Sequence, residues 1–193
     1  MNPLDDLRGI VTVLNTPFTA DDRVDADGLA AHVRYAVEAG VAGFLVPAMA
    51  SEVGKLSRDE RRLILRTAVG AASGRPIVGG ASAPEQADRM ALAEECLALG
   101  CAGVLAQFPS ADFEALRGWM TELDGLNPPF LMVQDWDFQG GGIPLEVISR
   151  LEAAVPSFRA IKIEVAGAGP KYSAVREATG PRNGVVRSSV PSW

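Results

Sequence analysis

The sequence predicts an α/β protein in which strands and helices alternate, as in a (β/α) barrel or an open doubly wound sheet. The first supporting observation is a repeat of short apolar runs about every 30 residues, the length of one strand plus one helix. The second is an internal echo, because residues 40–43 and 100–103 carry two glycines at the same spacing. The markers of the six runs are Ile10, Phe44, Ile77, Val104, Phe130 and Ala160.

The six apolar runs are predicted to be strands, and the stretches between them to be helices. Apolar residues from Leu29 to Val37 recur at helical spacing and end before Gly40. Two capping boxes, Ser57 to Glu60 and Ser82 to Glu85, each predict a helix start. The strand runs are residues 9–14, 43–46, 76–78, 103–106, 130–133 and 159–165. Weaker helical segments are predicted at residues 112–123, 144–154 and 170–178.

The predicted units are too few to close a barrel. A (β/α)₈ barrel needs eight strand–helix units and typically about 250 residues, whereas this chain has 193 residues and six such units. We therefore predict a partial (β/α) barrel domain over residues 1–179 and an irregular C-terminal tail over residues 180–193. An arc of six strands would leave two unpaired edges and an open interior, so weak stability and aggregation are expected.

Composition excludes several functions. A net charge of −6 disfavours binding to nucleic acid or to an anionic membrane. One histidine and two cysteines are too few for a disulfide framework or a conventional zinc site, and they disfavour a Ser-His-Asp triad. The N-terminus lacks the features of a signal peptide, and no apolar run reaches the roughly 20 residues of a membrane span. The predicted location is the cytoplasm.

Lys162 is the residue that most suggests chemistry. Because side chains alternate along a strand, Ile161 and Ile163 share one face, while Ala160, Lys162 and Glu164 share the other. In a barrel the isoleucines would pack under the helices and Lys162 would point inward. A lysine taken out of water loses its proton more readily, and the neutral amine can attack a carbonyl carbon. The alternative is the polar face of a half-exposed strand.

Several segments together resemble the dihydrodipicolinate synthase / N-acetylneuraminate lyase family, the Schiff-base-forming class I aldolases. Residues 9–18 end in Thr-Pro-Phe like the family's first strand, residues 51–61 resemble the stretch after its second strand, and residues 161–164 resemble the segment that carries its lysine. The likeness extends from about residue 9 to residue 178. It implies a TIM barrel, a tetramer as a possible homo-oligomer, and Lys162 as the nucleophile.

The family's other site positions are altered here. Residues 48–52 replace the motif that binds the substrate carboxylate, which leaves Ser51 beside Ala50. The strand-five tyrosine, which relays protons, falls at Val133, and the strand-four tyrosine is missing from residues 106–109. Gln134 and Asp135 lie at the end of the predicted fifth strand. Their side chains can orient water or a substrate hydroxyl, or they can cap the next loop. The predicted substrate-binding residues are Ala50, Ser51, Val133, Gln134 and Asp135.

The resemblance implies a lyase or synthase that acts on a pyruvate-like 2-keto acid through a lysine imine, without a metal or organic cofactor. Dihydrodipicolinate synthesis itself is not expected, because the tyrosines are missing. One alternative is a dehydratase or aldolase acting on a 2-keto-3-deoxy sugar acid. Another is a non-catalytic remnant, truncated naturally, by a frameshift or as a fragment. The coding DNA after residue 179 would distinguish these origins.

Overall fold

The computed structural model describes Leu4, residues 7–180 and the backbone of residues 184–187. Its strands lie in one sheet in chain order, β1 to β7. The strands are β1 (Val11–Val13), β2 (Gly43–Val46), β3 (Ile77–Gly80), β4 (Gly103–Ala106), β5 (Leu131–Asp137), β6 (Phe158–Val165) and β7 (Gly184–Arg187). The helices are α1 (Ala26–Glu38), α2 (Arg58–Ala71), α3 (Gln86–Ala98), α4 (Phe113–Asp124), α5 (Leu145–Ala154) and α6 (Ala168–Thr179). The six predicted strands are confirmed.

The expectation of an irregular tail from residue 180 needs correction at four residues. Gly184–Arg187 forms β7, which pairs in parallel with residues 160–163 of β6. Two consecutive β-branched residues, Val185 and Val186, favour an extended backbone. The edge of β6 that does not pair with β5 supplies the backbone groups that hydrogen-bond to it. The other tail residues, apart from Gly180, lie outside the described residues.

The chain divides into two compact units, of which the first comprises Met1–Gly80 and Ala91–Val104. Within it, β1 pairs with β2 and β2 with β3, all in parallel. Its core joins one face of α1 and α2 to the buried strand β2; the fully buried members are Leu29, Val33, Phe44, Val46, Ile64 and Ala68. Helix α2 begins with the predicted capping box, in which Ser57 Oγ accepts from Glu60 N and the Glu60 carboxylate accepts from Ser57 N.

A close backbone approach fixes one glycine of the first unit. A Cβ atom added to Gly80, at the end of β3, would lie 1.7 Å from the carbonyl oxygen of Pro47. No side chain fits at that separation, so this position requires glycine for space alone.

The second unit comprises Ala81–Met90 and Leu105–Trp193. Here β5, β6 and β7 pair in parallel. The core lies between α4 and the start of β5, and its fully buried members are Leu116, Met120, Phe130, Leu131 and Met132. The second predicted capping box is wrong: α3 begins at Gln86, and Ser82 Oγ accepts from the Gln107 backbone N–H at 3.0 Å.

Within the residues that the structure describes, no helix has both the length and the apolar composition needed to cross a membrane.

Candidate functional site

Lys162 lies on β6 with a carboxylate beside it. Its side chain is 4% exposed and that of Glu164 is 7% exposed, and Lys162 Nζ forms an ion pair with Glu164 Oε2. Two residues apart on a strand, the side chains share a face, as the sequence alternation predicts. The alternative of a half-exposed strand is wrong, because β6 is buried over nearly all its length.

The neighbouring strand contributes a third member. Gln134 on β5 is the register partner of Lys162, and its Nε2 donates to Glu164 Oε2 at 2.6 Å. One carboxylate oxygen therefore receives both the ammonium and the amide. We call Lys162, Glu164 and Gln134 the lysine cluster.

Burial imposes a desolvation cost on the two charged side chains of the lysine cluster. Moving an ammonium and a carboxylate out of water costs several kcal/mol per ion, which their attraction and hydrogen bonds must offset. The amide of Gln134 adds a charge-assisted bond of the stronger kind. The arrangement holds a proton donor and a proton acceptor in direct contact in a site shielded from water.

Val133 does not lie on the face of the lysine cluster. Its register partner is Ile161, so both point to the opposite side of the sheet from Lys162, and Val133 is 1% exposed. The β5 residue beside Lys162 is Gln134. Gln134 is also among the predicted binding residues, whereas the resemblance places the family's tyrosine at Val133.

The Asp135 carboxylate contacts the loop after β5 and a lysine of α6. Asp135 lies on the same face as Val133, its carboxylate accepts a hydrogen bond from Ile143 N–H at 2.8 Å, and it forms an ion pair with Lys171 Nζ at 2.6 Å. A Cβ at Gly142, whose φ is +66°, would lie 2.1 Å from Asp135 Oδ1. Of the two roles considered for Asp135, this geometry matches the capping of the following loop.

That loop is also held by Asp137. Its carboxylate accepts from the backbone N–H groups of Gln139, Gly140 and Gly142. These bonds, that of Gly142 most strongly, hold the pKa of Asp137 below its ordinary value. The triple-glycine run is therefore an ordered turn.

A cavity of about 310 Å³ opens at the ends of β4 and β5. Trp136 is the register partner of Glu164, so it shares the face of the lysine cluster. Its side chain is 39% exposed, and its ring packs edge to face with that of Phe138, with the ring centres 5.2 Å apart. Gln134 both lines the cavity and contacts Glu164. The lining residues are Gln107, Phe108, Pro109, Ser110, Ala111, Gln134, Asp135, Trp136, Asp137, Gly142 and Ile143.

Arg89 supports the far wall of this cavity. Its buried guanidinium lies 5.4 Å from the centres of the Phe108 and Trp119 rings and donates to the carbonyl oxygens of Ala83 and Pro84. Burial lowers the pKa of Arg89. No sequence signal marks Arg89 for this role, because its position on α3 resembles that of any solvated helix residue.

Ser51 and Ala50 belong to the first unit, in a short 3-10 turn at Met49–Ser51. Ser51 is fully buried; its Oγ donates to Leu14 O at 2.5 Å and accepts from Ala48 N–H at 2.9 Å. Thr16 Oγ1 donates to the Ser51 carbonyl at 2.7 Å. These bonds tie the turn to the end of β1, and Ala50 is exposed beside it.

The described residues contain no group of three or more His, Cys, Asp or Glu side chains arranged to hold a metal ion.

Comparison with known proteins identifies relatives over most of the chain. The model of the dihydrodipicolinate synthetase family matches residues 6–178. The 4-hydroxy-tetrahydrodipicolinate synthase of Methanosarcina barkeri is 30% identical over 175 residues, which are 89% of this chain and 59% of that protein. The Rhizobium meliloti synthase is 31% identical over 103 residues, 53% of this chain and 35% of that protein.

Solved structures agree on the fold. PhdJ bound to a substrate intermediate superposes with a TM-score of 0.85 at 23% identity, covering 95% of this chain and 61% of that one. A monomeric dihydrodipicolinate synthase variant gives 0.86 at 22% identity, covering 97% and 65%. The predicted barrel class is confirmed, and the chain spans about three fifths of the length of the Methanosarcina barkeri synthase and of PhdJ.

Proposed function

This chain belongs to the dihydrodipicolinate synthetase family, and from that premise we propose that it is a lyase or synthase acting on a pyruvate-like 2-keto acid through an imine at Lys162. The observation that carries the proposal is the buried lysine on the inner face of β6, paired with a carboxylate. Buried lysines are costly for a fold, and nucleophilic catalysis is a use that requires one.

In the proposed reaction, Lys162 Nζ attacks the keto carbon and water leaves, which gives a protonated imine. That cation withdraws electrons from the neighbouring carbons. The C3–C4 bond of the substrate can then form or break, or a C3 proton can be removed. The positive charge needed for this step develops on the lysine nitrogen itself.

The predicted binding residues take different proposed roles. We propose that Gln134 contacts the substrate, because it lines the cavity and touches Glu164. Val133 would support β5 from behind, and Asp135 would hold the loop that borders the cavity. In the first unit, Ser51 would hold the turn that carries Ala50, and substrate binding by these two residues stays a prediction. The hydroxyl of Ser51 is already engaged with Leu14.

A second candidate substrate is a 2-keto-3-deoxy sugar acid, converted by a dehydratase or aldolase through the same imine. The cavity favours it, because Gln107, Ser110 and Gln134 offer amide and hydroxyl groups that can bind sugar hydroxyls. The opposite possibility is a chain without catalytic activity, in which the lysine cluster is a remnant.

The test is reductive trapping. The full chain is incubated with pyruvate and borohydride, and the adduct is located by peptide mass mapping. We expect labelling at Lys162 and not at Lys55 or Lys171. Lys162→Arg should abolish trapping, because arginine stays protonated and cannot attack. Lys55→Arg, at an exposed lysine paired with Glu52, is the matched control and should leave trapping unchanged.

Labelling of Lys55 or Lys171 without Lys162 would contradict the proposed imine, and no labelling would favour the inactive remnant. If trapping succeeds, the rate of carbon–carbon cleavage with 2-keto-3-deoxy sugar acids distinguishes the second candidate. A homo-oligomer and a cytoplasmic location remain predictions; light scattering of the purified chain tests the first.

A further inference from the structure

We propose that Glu164 is the acid–base catalyst of imine formation at Lys162. This inference rests on the proposed function of Lys162 and assigns the proton transfers that the reaction needs. Imine chemistry requires a group that first removes a proton from the ammonium and later delivers one to the departing oxygen.

Geometry favours Glu164. Its Oε2 contacts Lys162 Nζ directly, both side chains are more than nine-tenths buried, and the spacing of two residues on β6 fixes their shared face. A general base must lie within hydrogen-bond reach of the proton that it takes, and this carboxylate does. Its low exposure limits competition from bulk water.

The facing strand offers no substitute. On β5 the register partners of Lys162 and Glu164 are Gln134 and Trp136, and neither side chain titrates. Gln134 Nε2 donates to the same Oε2 at 2.6 Å, which orients the carboxylate toward Nζ. We therefore assign Gln134 a positioning role, and Glu164 the removal of the ammonium proton and the delivery of a proton to the departing oxygen.

Neither tyrosine of the chain can take that part. Tyr172 packs against the outer face of β6, where its hydroxyl donates to Ile163 O at 3.1 Å and accepts from Ile163 N–H. Tyr35 is exposed on α1 in the first unit, 75% accessible. On the described part of β5 and β6, the inner face thus carries a carboxylate and no phenol.

The Glu164 carboxylate takes a proton from the Lys162 ammonium, which leaves a neutral amine and a carboxylic acid. The amine attacks the keto carbon, and the nitrogen of the adduct passes a proton to the former keto oxygen. The acid returns its proton to that hydroxyl, which leaves as water. The products are a protonated imine at Lys162, a carboxylate at Glu164 and one water.

The experiment measures the rate of imine formation with pyruvate, by quenching with borohydride at successive times. Glu164→Gln keeps the size and the hydrogen bonding of the side chain but cannot exchange the proton. We expect a decrease of about 10²- to 10⁴-fold in the rate, the usual contribution of general acid–base catalysis. Glu146→Gln, at an exposed glutamate on α5, is the matched control and should react like the unchanged chain.

A structural role is separated by chemical rescue. Glu164→Ala leaves a space beside Nζ, and added formate should recover at least tenfold in rate by supplying a carboxylate there. Circular dichroism of each variant shows whether it folds. If Glu164→Gln fails to fold, the formate experiment decides alone.

The outcomes separate the two proposals. Trapping by the unchanged chain, with Glu164→Gln within twofold of it or Glu164→Ala insensitive to formate, overturns the role of Glu164 and leaves the Lys162 imine standing. Absence of trapping in the unchanged chain overturns both.

Discussion

Two buried polar groups, one in each unit, differ in what their partners are. Ser51 in the first unit is neutral, and both bonds of its hydroxyl go to backbone groups, Leu14 O and Ala48 N–H. Lys162 in the second unit is charged, and its partner is a side chain. A hydroxyl bound to backbone can only hold the chain in place. A charged pair of side chains can exchange a proton, and acid–base catalysis depends on such an exchange.

The same difference sets the energetic cost of each group. A neutral hydrogen bond contributes about 0.5–1.5 kcal/mol net to stability, whereas breaking a buried ion pair from one side costs about 3–5 kcal/mol. Removing one charge of the Lys162–Glu164 pair should therefore destabilise the fold more than removing the Ser51 hydroxyl. Replacing both charged side chains by apolar ones should cost much less than removing one. Variants at the two places test this contrast.

The largest expected effect follows from breaking the ion pair on one side. Lys162→Met should lower the free energy of unfolding by about 3–5 kcal/mol, because Glu164 is left buried without its cation. The double variant with Glu164→Leu should recover most of that loss. Urea unfolding followed by circular dichroism measures both.

The control for this cycle is the exposed pair of Arg117 and Glu114 on α4, whose side chains are 48% and 65% exposed. Arg117→Met should cost less than about 1 kcal/mol. Equal losses at Arg117 and Lys162 would contradict the distinction between the buried and exposed pairs.

An intermediate effect is expected at Ser51. Ser51→Ala leaves Leu14 O and Ala48 N–H buried without their partner, at a cost of about 1–3 kcal/mol. The pyruvate concentration for half-maximal trapping should change by less than about tenfold, since the hydroxyl already serves Leu14. Ser149→Ala on α5, where an exposed Oγ donates to Leu145 O, is the control with little expected effect on stability. A loss of trapping in folded Ser51→Ala would give Ser51 a direct part in binding.

The smallest effect concerns acid. Because the folded-state pKa of Asp137 is lowered, its contribution to stability is present above its unfolded value of 3.8 and is lost as the pH falls through the folded value. Asp137→Asn should therefore flatten the acid limb of a plot of urea midpoint against pH. An unchanged acid limb would show that the loop bonds of Asp137 do not contribute to stability.

Local patterns predicted the strands, and Lys162 on the inner face of β6, since the apolar period and the alternation of faces are written in the sequence. The resemblance places the family's tyrosine at Val133, but Val133 pairs with Ile161 and lies on the other face from Lys162, because a shift of one residue moves a side chain to the other face. Gln134 is predicted as a binding residue from the sequence, but its contact with Glu164 is evident only from the pairing of β5 with β6.

Other features required tertiary contacts. Strand β7 exists because the edge of β6 pairs with it, and nothing within residues 180–193 announces that partner. The sequence around Ser82 is typical of a helix cap. In the structure, however, its hydroxyl accepts a hydrogen bond from the backbone N–H of Gln107, 25 residues away. The partners of Asp135 come from the next loop and from α6, so its anchoring role was a possibility and not a prediction.

The three consecutive glycines beside the cavity do not have equal freedom to evolve. A Cβ at Gly142 would strike both Asp135 and Val165 at a backbone φ of +66°, and one at Gly140 would lie 2.5 Å from Asp137 Oδ2. An added Cβ at Gly141 has no atom within 4 Å. Single mutations can therefore change the loop beside the cavity at position 141, while side chains at positions 140 and 142 would collide with their neighbours.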